Sequence, residues 1–556
     1  MGEILKKYLY LAIFLFGCLA FLLPNRYYPW VSAYHEFSIY LLFLIACLFI
    51  IIHKQKVLMD RYISIVFFIS IIPLLQYLFG KIYFLGDALI AAIYVFSFAC
   101  SIIVGLNFTQ YFNKQKILIF ISCIFIFSAL VSSYMMLQQW LMLTYGSIWI
   151  IDIPHNRPFA NFAQPNNCAT FLILSLLAVW YLFEQRKINY IASISLACMF
   201  LLCLALTQSR SVWVYAICFV VWWYWKYNPL NTRLKKNSIW YFLGVFISFI
   251  YILPIVSQYL SLVGVSDVVD RATSGFLRLP MWNQLLFALQ QEPIWGYGWN
   301  QVSVAQITVF ANYPTTEWTE HSHNILIDLL IWNGIPLGTA IIVFFSYWLF
   351  KLSQLAYTVE NFIALAMIGA VISHGMLEFP LEYATFLLPV GFLIGYVYAD
   401  HSFRNVINLS KKKIIICYVI FIVLYGIIFY EYVKIEQDTR SVRAEMLNIG
   451  RVHVTQAAPN LLLMTQLSER IRYMRTPPEK NISRDQLLWM KKVTYRYATP
   501  NSLYKYAQTL LLNGQKQKAQ HYLNILNQLY GEKIELNSLY IIRDSRAYDW
   551  KKVVNK

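Results

Sequence analysis

Long apolar runs recur along this chain of 556 residues, and they limit what it can fold into. Most of them are close to the roughly 17 to 25 residues that a helix needs to cross a hydrocarbon layer about 30 Å thick. The sequence therefore predicts an all-α polytopic membrane protein with about 13 transmembrane helices. The runs lie at approximately 8–23, 37–52, 62–79, 88–106, 117–136, 168–183, 190–207, 212–225, 239–257, 324–350, 361–377, 384–398 and 414–430.

The composition leads to the same class. Hydrophobic residues make up 59% of the chain and charged residues only 13%, whereas a soluble protein has about 25% charged residues. This balance excludes an ordinary soluble protein and makes the lipid bilayer the first expected partner. The net charge of +18 does not indicate a nucleic-acid partner, because most of the basic excess in the loops follows the membrane topology.

Lysine and arginine are distributed unevenly between the two sides of the predicted bundle. If the N-terminus is inside and the sides alternate, eighteen of these residues fall in inner segments and six in outer loops. Basic loops favour the cytoplasmic side, so the polar segment 258–323 and the C-terminal tail are predicted to lie outside. The six outer residues oppose this bias and are Arg26, Lys81, Arg157, Arg210, Arg271 and Arg278.

The apolar pattern stops after the last run, which divides the chain into two parts. We expect a transmembrane domain at 1–430, with a large outer loop at 258–323, and an outer helical domain at 431–556. In the second domain, residues 501–530 form two amphipathic patterns that meet at Asn513 and Gly514, close to half a tetratricopeptide repeat. This domain could be a docking surface or a plain helical cap.

The large outer loop ends in the string EHSHN at 320–324, directly before an apolar span. Histidine is well suited to exchange a proton near neutral pH, so His321 and His323 are candidate bases in an active site at the membrane surface. An ordinary loop is one alternative. A zinc site with Glu317 and Glu320 is another, but the spacing matches no compact zinc signature, and we expect no metal.

A second outer segment has the sequence RPFANFAQPNN at 157–167. Its two prolines and four amides disfavour a helix and favour a structured turn. Amides such as Gln164 and Asn166 offer donors and acceptors together, which suits sugar hydroxyls or a pyrophosphate. Asn166 or Asn167 could equally be the N-cap of the helix that follows.

Two short outer turns also contain polar groups that are costly near lipid. In the string SRS at 209–211, Arg210 could bind a phosphate oxyanion together with the flanking hydroxyls, or it could extend to lipid headgroups. In the string HGMLEFPLEY at 374–383, Glu378 and Tyr383 share a turn with a histidine and a second carboxylate. Such a group at membrane depth is typical of a cavity lining.

Four of these features occur in the order found in one bacterial superfamily: RPFANFAQPNN, SRS, Arg278 with its context, and HSHN at 321–324. On these strings the region of roughly 150–400 resembles the superfamily of O-antigen ligases, O-antigen polymerases and protein O-oligosaccharyltransferases. The first string and the outer helical tail resemble the pilin-glycosylating branch. Where that family has Glu-Tyr-Pro-Leu, this chain has Phe379, so a tyrosine role would fall to Tyr383.

The resemblance implies transfer of a glycan en bloc from undecaprenyl-pyrophosphate to Ser or Thr of a periplasmic, pilin-like protein, with inversion and without metal or other cofactor. Arg210 and Arg278 would hold the pyrophosphate, and His323 would accept the proton of the hydroxyl. The remaining candidates for substrate binding or orientation are Arg157, Gln164, Asn166, His321, Glu378 and Tyr383. The resemblance also implies a multi-pass protein of the bacterial inner membrane, with its active site and C-terminus in the periplasm.

Two other functions remain open at this point. One is a different reaction of the same superfamily, either attachment of O-antigen to lipid A core by a ligase or chain growth by an O-antigen polymerase. The other is a transporter or flippase, for which we would expect charged residues within the spans and inverted repeats. The charged residues of this sequence instead lie near the span ends.

Overall fold

The computed structural model describes residues 3–53, 56–145, 147–153, 157–162, 164–228, 230–262, 278–401, 406–446 and 457–540. Arg271, one of the six outer basic residues, lies outside the described residues. So do 263–277 of the large loop and 447–456 and 541–556 of the predicted C-terminal domain.

Helices follow the apolar runs, because a backbone polar group in lipid has to be paired within its own segment. The first nine are α1 (Glu3–Leu22), α2 (Ala33–His53), α3 (Arg61–Leu78), α4 (Leu85–Phe108), α5 (Lys114–Trp140), α6 (Pro165–Glu184), α7 (Tyr190–Thr207), α8 (Ser211–Lys226) and α9 (Ser238–Tyr259). The large loop contains α10 (Arg278–Gln291) and α11 (Val302–Val309). The bundle is completed by α12 (Ile325–Ser353), α13 (Val359–Gly375), α14 (Ala384–Tyr398) and α15 (Lys411–Met446).

Nine helices in the described part of the chain are long and apolar enough to cross a membrane. They are α2 to α7, α9, α12 and α15. Three further segments are apolar but shorter: residues Lys7–Leu22 of α1, α13 and α14. The predicted class, a helical membrane protein with many spans, is confirmed, while the number thirteen stays a prediction.

A short two-stranded ribbon departs from the all-helical expectation. Strand β1 (Lys56–Asp60) pairs antiparallel with β2 (Val406–Ser410), and these are the only strands among the described residues. The side chain of Asn107 donates to the Leu58 carbonyl and accepts from the Leu58 N–H, both at 2.9 Å. The ribbon therefore joins the start of α3 to the start of α15, and Asn107 pairs the backbone edge that would otherwise lack a partner.

Small residues allow α4 and α14 to pack closely at the centre of the bundle. A Cβ placed on Gly105 would lie 2.0 Å from the Phe392 carbonyl oxygen, and one on Gly395 would lie 2.0 Å from that of Ile102. Close backbone approach at glycine is typical of helix pairs in membranes, where apolar side chains gain little by leaving lipid. This contact holds α14, and with it the turn that precedes α14.

The loop between α9 and α12 is fixed to α12 through the turn at 293–300. Tyr297 N–H donates to the Ile331 carbonyl at 2.8 Å, and Ile335 N–H donates to the Pro293 carbonyl at 2.7 Å. The helix α12 opens here because Gly334 has φ of 73°. Trp299 stacks on Trp332 at 5.0 Å, so the aromatic residues of this turn anchor the loop above the start of α12.

The tail contains four more helices: α16 (Thr465–Arg475), α17 (Arg484–Arg496), α18 (Pro500–Leu512) and α19 (Lys516–Tyr530). The predicted helix pair that meets at Asn513 and Gly514 is present as α18 and α19. Helix α15 runs without interruption through residue 430, where we expected the domain boundary. The tail also packs on α4, since Gly86 N–H donates to Thr465 Oγ1 at 2.9 Å.

Candidate active site

One buried carboxylate, that of Glu378, organises the candidate site. It lies in the turn between α13 and α14 and is only 4% exposed. Its Oε1 accepts from Asn166 Nδ2 at 2.9 Å and from Arg278 Nη2. Its Oε2 contacts His323 Nδ1 at 2.7 Å and accepts from Gln164 Nε2 at 3.3 Å. Residues from three distant parts of the chain therefore meet on one side chain.

The local sequence explains why these residues arrive at the same place. Helix α13 ends at Gly375, and Glu378 N–H still donates to the His374 carbonyl at 2.9 Å. Pro380 has no N–H to continue the helix and begins a short 3-10 turn. Asn324 caps α12 by accepting from Leu326 N–H at 3.0 Å, and its amide also donates to the Met376 carbonyl at 3.1 Å. The start of α12 is therefore bonded to the end of α13.

His323 has a backbone conformation that histidine rarely adopts, with φ of 56°. Residues in the left-handed region cost free energy and persist where the surroundings fix them, often at functional sites. Here the Asn324 cap follows directly. On the other side of His323, Ser322 N–H donates to Asp328 Oδ1 at 2.8 Å. The structure thus holds the imidazole of His323 against Glu378 from both sides.

The charge state of Glu378 follows from its partners. Burial opposes ionisation, but the hydrogen bond to His323 and the charge of Arg278 outweigh it and hold the pKa of the Glu378 carboxyl below its ordinary value. An ionised carboxylate only accepts hydrogen bonds. His323 Nδ1 therefore carries the hydrogen that faces Glu378, and Nε2 is the ring nitrogen left to exchange a proton with a substrate.

A second histidine–carboxylate pair lies on the other side of Phe379. His321 Nδ1 is 2.8 Å from Glu382 Oε2, and its ring stacks on Phe379 at 4.3 Å. Burial lowers the pKa of His321, but Glu382, and then Glu320 and Asp328, raise it to about 9. His321 is consequently an imidazolium at neutral pH and is unsuited to be a base there.

The amide-rich segment connects this site to the turn between α7 and α8. Helix α6 starts at Pro165, with Gln164 as its N-cap. The alternative that Asn166 or Asn167 is the N-cap was therefore wrong, because both lie within the first turn. Arg157 Nε donates to the Thr207 carbonyl at 2.8 Å, and Arg157 Nη2 donates to Asn166 Oδ1 at 3.3 Å.

Arg210 lies in the turn that Arg157 contacts, three residues after Thr207, with an exposed side chain. It occupies the N-cap position of α8, and the hydroxyls of Ser209 and Ser211 are 2.8 Å apart beside it. A helix N-terminus favours an anion because its backbone N–H groups point outward. The turn therefore has a cation, two hydroxyls and a helix start, and Arg157 and Asn166 link it to Glu378.

Tyr383 lies at the far end of the turn that contains Glu378, as the N-cap of α14, and its ring stacks on Phe379 at 5.9 Å. Burial raises the pKa of Tyr383, so the hydroxyl keeps its proton. Burial also lowers the pKa of Arg26 to about 10, while Tyr383 and Glu36 act in the opposite direction. Sequence reasoning assigned no role to Arg26, since an arginine beside tyrosines and a tryptophan is a common interfacial anchor.

A cavity of about 680 Å³ opens beside the second pair. Its lining includes apolar side chains of α3, α4, α12 and α14. The lining also includes the acidic, basic and histidine residues Asp87, Glu320, His321, Glu382, Arg470 and Arg496, together with Tyr383 and three other tyrosines. Sequence reasoning gave no role to Asp87, for which interfacial anchoring was the commoner expectation, and Arg470 and Arg496 were missed because single charges in a basic tail give no signal of their own.

The fold and the site together define a class of protein. It is a many-span helical membrane protein that holds an arginine, a histidine and a shared carboxylate at one end of its bundle. Such a group can bind an anion and accept a proton at the membrane surface. Of the nine residues singled out from the sequence, Gln164, Asn166, Arg278, His323 and Glu378 meet directly and Arg157 joins them through Asn166. Arg210, His321 and Tyr383 lie in the neighbouring turns.

Two known proteins are similar in sequence to this chain over most of its length. The chain is 32% identical over 530 residues to a general O-oligosaccharyltransferase of Acinetobacter baylyi, which covers 94% of this chain and 92% of the relative. It is 27% identical over 497 residues to the ComP-specific O-oligosaccharyltransferase of the same organism, with 88% of each chain covered. The chain belongs to the O-oligosaccharyltransferases of the O-antigen ligase superfamily, and it is a glycosyltransferase.

Three family profiles match consecutive parts of the chain. A protein glycosylation ligase profile matches residues 158–183, an O-antigen ligase profile matches 194–342, and the C-terminal profile of a virulence factor membrane-bound polymerase matches 362–538. The first range contains Gln164 and Asn166, the second contains Arg278 and His323, and the third contains Glu378. The site is thus assembled from all three matched regions.

Proposed function

We propose that this protein transfers an oligosaccharide en bloc from undecaprenyl-pyrophosphate to a Ser or Thr hydroxyl of a periplasmic protein such as a pilin. The observation that carries the proposal is the shared carboxylate of Glu378, which contacts a candidate base, His323, and a candidate anion-binding cation, Arg278. The two relatives support the reaction class, since one is named a general and the other a ComP-specific O-oligosaccharyltransferase.

In the proposed reaction, His323 Nε2 accepts the proton of the acceptor hydroxyl as its oxygen attacks the anomeric carbon. The bond from that carbon to the pyrophosphate oxygen breaks, and its electron pair leaves with the lipid pyrophosphate. One displacement at the far face of the sugar inverts the anomeric centre. Glu378 stabilises the imidazolium that forms on His323, as a buried carboxylate does for the histidine of a catalytic triad.

The cations would bind the leaving group. Arg278 has its side chain 36% exposed while it pairs with Glu378, so part of its guanidinium fork remains accessible to a pyrophosphate oxygen. Arg210 would approach from the α8 N-terminus, and the imidazolium of His321 would add positive charge. Preorganised donors of this kind are among the largest contributions to catalysis, typically about 10²–10³ in rate for one group.

The remaining candidates would position the substrates. Gln164 and Asn166 hold Glu378 and have amide groups that can also bind sugar hydroxyls. Arg157 would fix Asn166 in place, and Tyr383 would keep a neutral hydroxyl at the edge of the cavity. The cavity of about 680 Å³ is lined by many apolar side chains and has space for part of a hydrocarbon chain, which supports a lipid-linked donor. The reaction needs no metal or other cofactor, because a pyrophosphate is already a good leaving group.

A second candidate reaction is favoured by one comparison. The membrane-bound polymerase profile over 362–538 includes Glu378, so a related chain-growth reaction would use the same carboxylate. Ligation to lipid A core would differ from the main proposal only in the acceptor. In a strain that lacks the gene, unmodified periplasmic protein would support protein transfer, whereas unmodified lipid A core or shortened O-antigen would support the other reactions.

For the location, we propose the bacterial inner membrane with thirteen spans, and with the site and the half tetratricopeptide repeat of the tail in the periplasm. The excess of basic residues in the inner segments supports this orientation. A phosphatase that is active only in the periplasm, fused after the last residue, should be active. A fluorescent protein that matures only in the cytoplasm, fused at the same place, should be dark; the reverse pattern would contradict the proposal.

The intact mass of periplasmic proteins, measured with and without the gene, tests the function. At least one protein should lose the mass of a whole oligosaccharide when the gene is deleted, and the gene should restore it. His323→Ala and Arg278→Ala should each fail to restore it although they insert normally. Normal glycosylation by both variants would refute the proposed chemistry.

A further inference from the structure

Arg496, the last residue of α17, joins the tail to the membrane helices and to the large loop. Its Nε and Nη2 both lie 3.1 Å from the carboxylate of Asp87, at the start of α4. Its Nη1 donates to Glu320 Oε1 at 3.2 Å. The Arg496 side chain is 12% exposed, and Asp87 is 2% exposed. A planar guanidinium can bind two carboxylates in this way because its five N–H groups have fixed directions.

Glu320 is the residue directly before His321, Ser322 and His323. The rest of this segment is already fixed from the membrane side, by Asp328 through Ser322 N–H and by Glu378 through His323. Glu320 connects this segment to the tail through its ion pair with Arg496. Arg496 also lines the same cavity as Glu320, His321 and Glu382, so the tail forms part of the wall next to the histidines.

Neighbouring residues hold Arg496 firmly. Tyr497 lies between two arginines, with Arg496 4.8 Å and Arg470 4.9 Å from its ring centre. Tyr495, one residue before Arg496, accepts from Ser303 Oγ of α11 at 2.8 Å through its carbonyl. Trp318, two residues before Glu320, donates to the same Ser303 Oγ at 2.7 Å. Two contacts therefore connect the end of α17 to the residues before His321.

We propose that Arg496 is a positioning residue for the segment 320–323, through which the C-terminal helical region controls glycan transfer. The inference rests on the proposed function of His323 and goes beyond it by giving the tail a part in the reaction. Arg496 would hold Glu320, and Glu320 would fix the backbone that presents both histidines. The tail would then be a component of the active site and more than a cap.

The charges around His321 provide a readout that a merely structural role would not change. The groups that face His321 are Glu382 from the turn after α13, Glu320 from its own segment and Asp328 from α12, with Arg496 on the far side of Glu320. Without the Glu320 carboxylate, the pKa of His321 falls. If its imidazolium assists the leaving group, the alkaline limb of the pH–rate profile moves to lower pH.

The test compares full-length Glu320→Gln, Arg496→Lys and the double variant in detergent. The donor is an undecaprenyl-pyrophosphate-linked disaccharide, and the acceptor is the protein that loses its glycan in the deletion strain. Each single variant should lower kcat on the order of ten- to a hundred-fold, the effect of moving a catalytic group by about 1 Å, with little change in KM for the donor. The double variant should be no slower than the worse single variant.

Arg472→Lys is the matched control, because Arg472 is an exposed arginine of the same region, paired with Glu469 at 3.6 Å; it should transfer at the wild-type rate. Glu320→Gln leaves the Asp87–Arg496 pair intact and so separates positioning from folding. Wild-type kcat and an unshifted alkaline limb in Glu320→Gln would overturn the proposal, as would losses that multiply in the double variant. Transfer by His323→Ala would instead overturn the proposed function.

Discussion

At the scale of single residues, the site depends on an acceptor with two oxygen atoms. Glu378 Oε1 accepts from Asn166 and Arg278, and Oε2 accepts from His323 and Gln164. The two oxygens of a carboxylate share one negative charge and only accept hydrogen bonds, so Glu378 can bind four donors at once. Each donor partner offsets part of the cost of burying the charge. The same carboxylate therefore orients the base and holds the cation.

Glu378→Gln is expected to lower the transfer rate by at least about 10²-fold. The amide replaces one accepting oxygen with an NH₂ group, so His323 or Arg278 loses its partner, and the tautomer of His323 with a lone pair at Nε2 is no longer favoured. Loss of such an orienting carboxylate costs about 10²–10⁴ in known hydrolases. The measurement is the initial rate of transfer by purified protein. A rate within a few-fold of wild type would show that Glu378 does not orient the base.

A second residue-scale prediction concerns pH and stability. The pKa of His321 is raised to about 9 in the folded state, above its ordinary value of about 6.5. Its contribution to the free energy of unfolding is therefore fully present below about pH 6.5 and is lost as the pH rises through about 9. The melting temperature in detergent should fall across this range, and His321→Gln should flatten the fall. His521→Gln, in α19, should leave the slope unchanged; an unchanged slope in His321→Gln would contradict the prediction.

The sequence allowed the candidate residues to be predicted, but not their partners. Glu378 and His323 were candidates because ionisable residues near lipid are costly and usually functional. The structure brings the two residues together. Their pairing spans 55 residues and depends on the Pro380 turn and the Asn324 cap, which no periodic pattern reveals. Arg496 could not be singled out, because the tail has many basic residues. Its contact with Asp87 of α4 joins residues 409 positions apart, and no local sequence pattern indicates it.

At the scale of elements, the positions of the helices were predictable and their neighbours were not. Each apolar run coincides with a helix, because the backbone N–H and C=O groups of a single span in lipid have to be hydrogen-bonded within that span. The run at 384–398 does not reveal that Gly391 faces Ser101 of α4 or that Gly395 faces the backbone of Ile102. The short ribbon of β1 and β2 was also missed, since its strands are brief and lie in connections between spans. Packing partners depend on which small residues meet.

Gly395→Ala should destabilise the bundle. The new Cβ would lie 2.0 Å from the Ile102 carbonyl oxygen, so α4 and α14 would have to separate, and overpacking of this kind typically costs about 1–3 kcal/mol. The melting temperature and the yield of folded protein report the change. Gly369→Ala is the control in the neighbouring helix α13, where a Cβ meets nothing within 4 Å. Equal melting temperatures for the two variants would contradict this account of the α4–α14 contact.

At the scale of the whole molecule, the tail is attached to the membrane helices by buried charges. Glu431 of α15 is 4% exposed. Its carboxylate accepts from three successive backbone N–H groups, those of 462–464, the last at 2.8 Å. These donors lie directly before α16, so Glu431 fixes the point where the tail returns to the bundle. Together with the Arg496–Asp87 pair at the end of α17, this contact makes the two parts of the chain one structural unit.

Glu431→Gln should loosen the tail without changing the bundle. The amide has one accepting oxygen in place of two, and hydrogen bonds to a charged group are worth about 1.5–3 kcal/mol each. The segment 457–475 should become more susceptible to limited proteolysis, and the melting temperature should fall. Glu479→Gln, which changes an exposed carboxylate of the same tail, should leave both unchanged. Wild-type protease resistance in Glu431→Gln would show that the tail is held by other contacts.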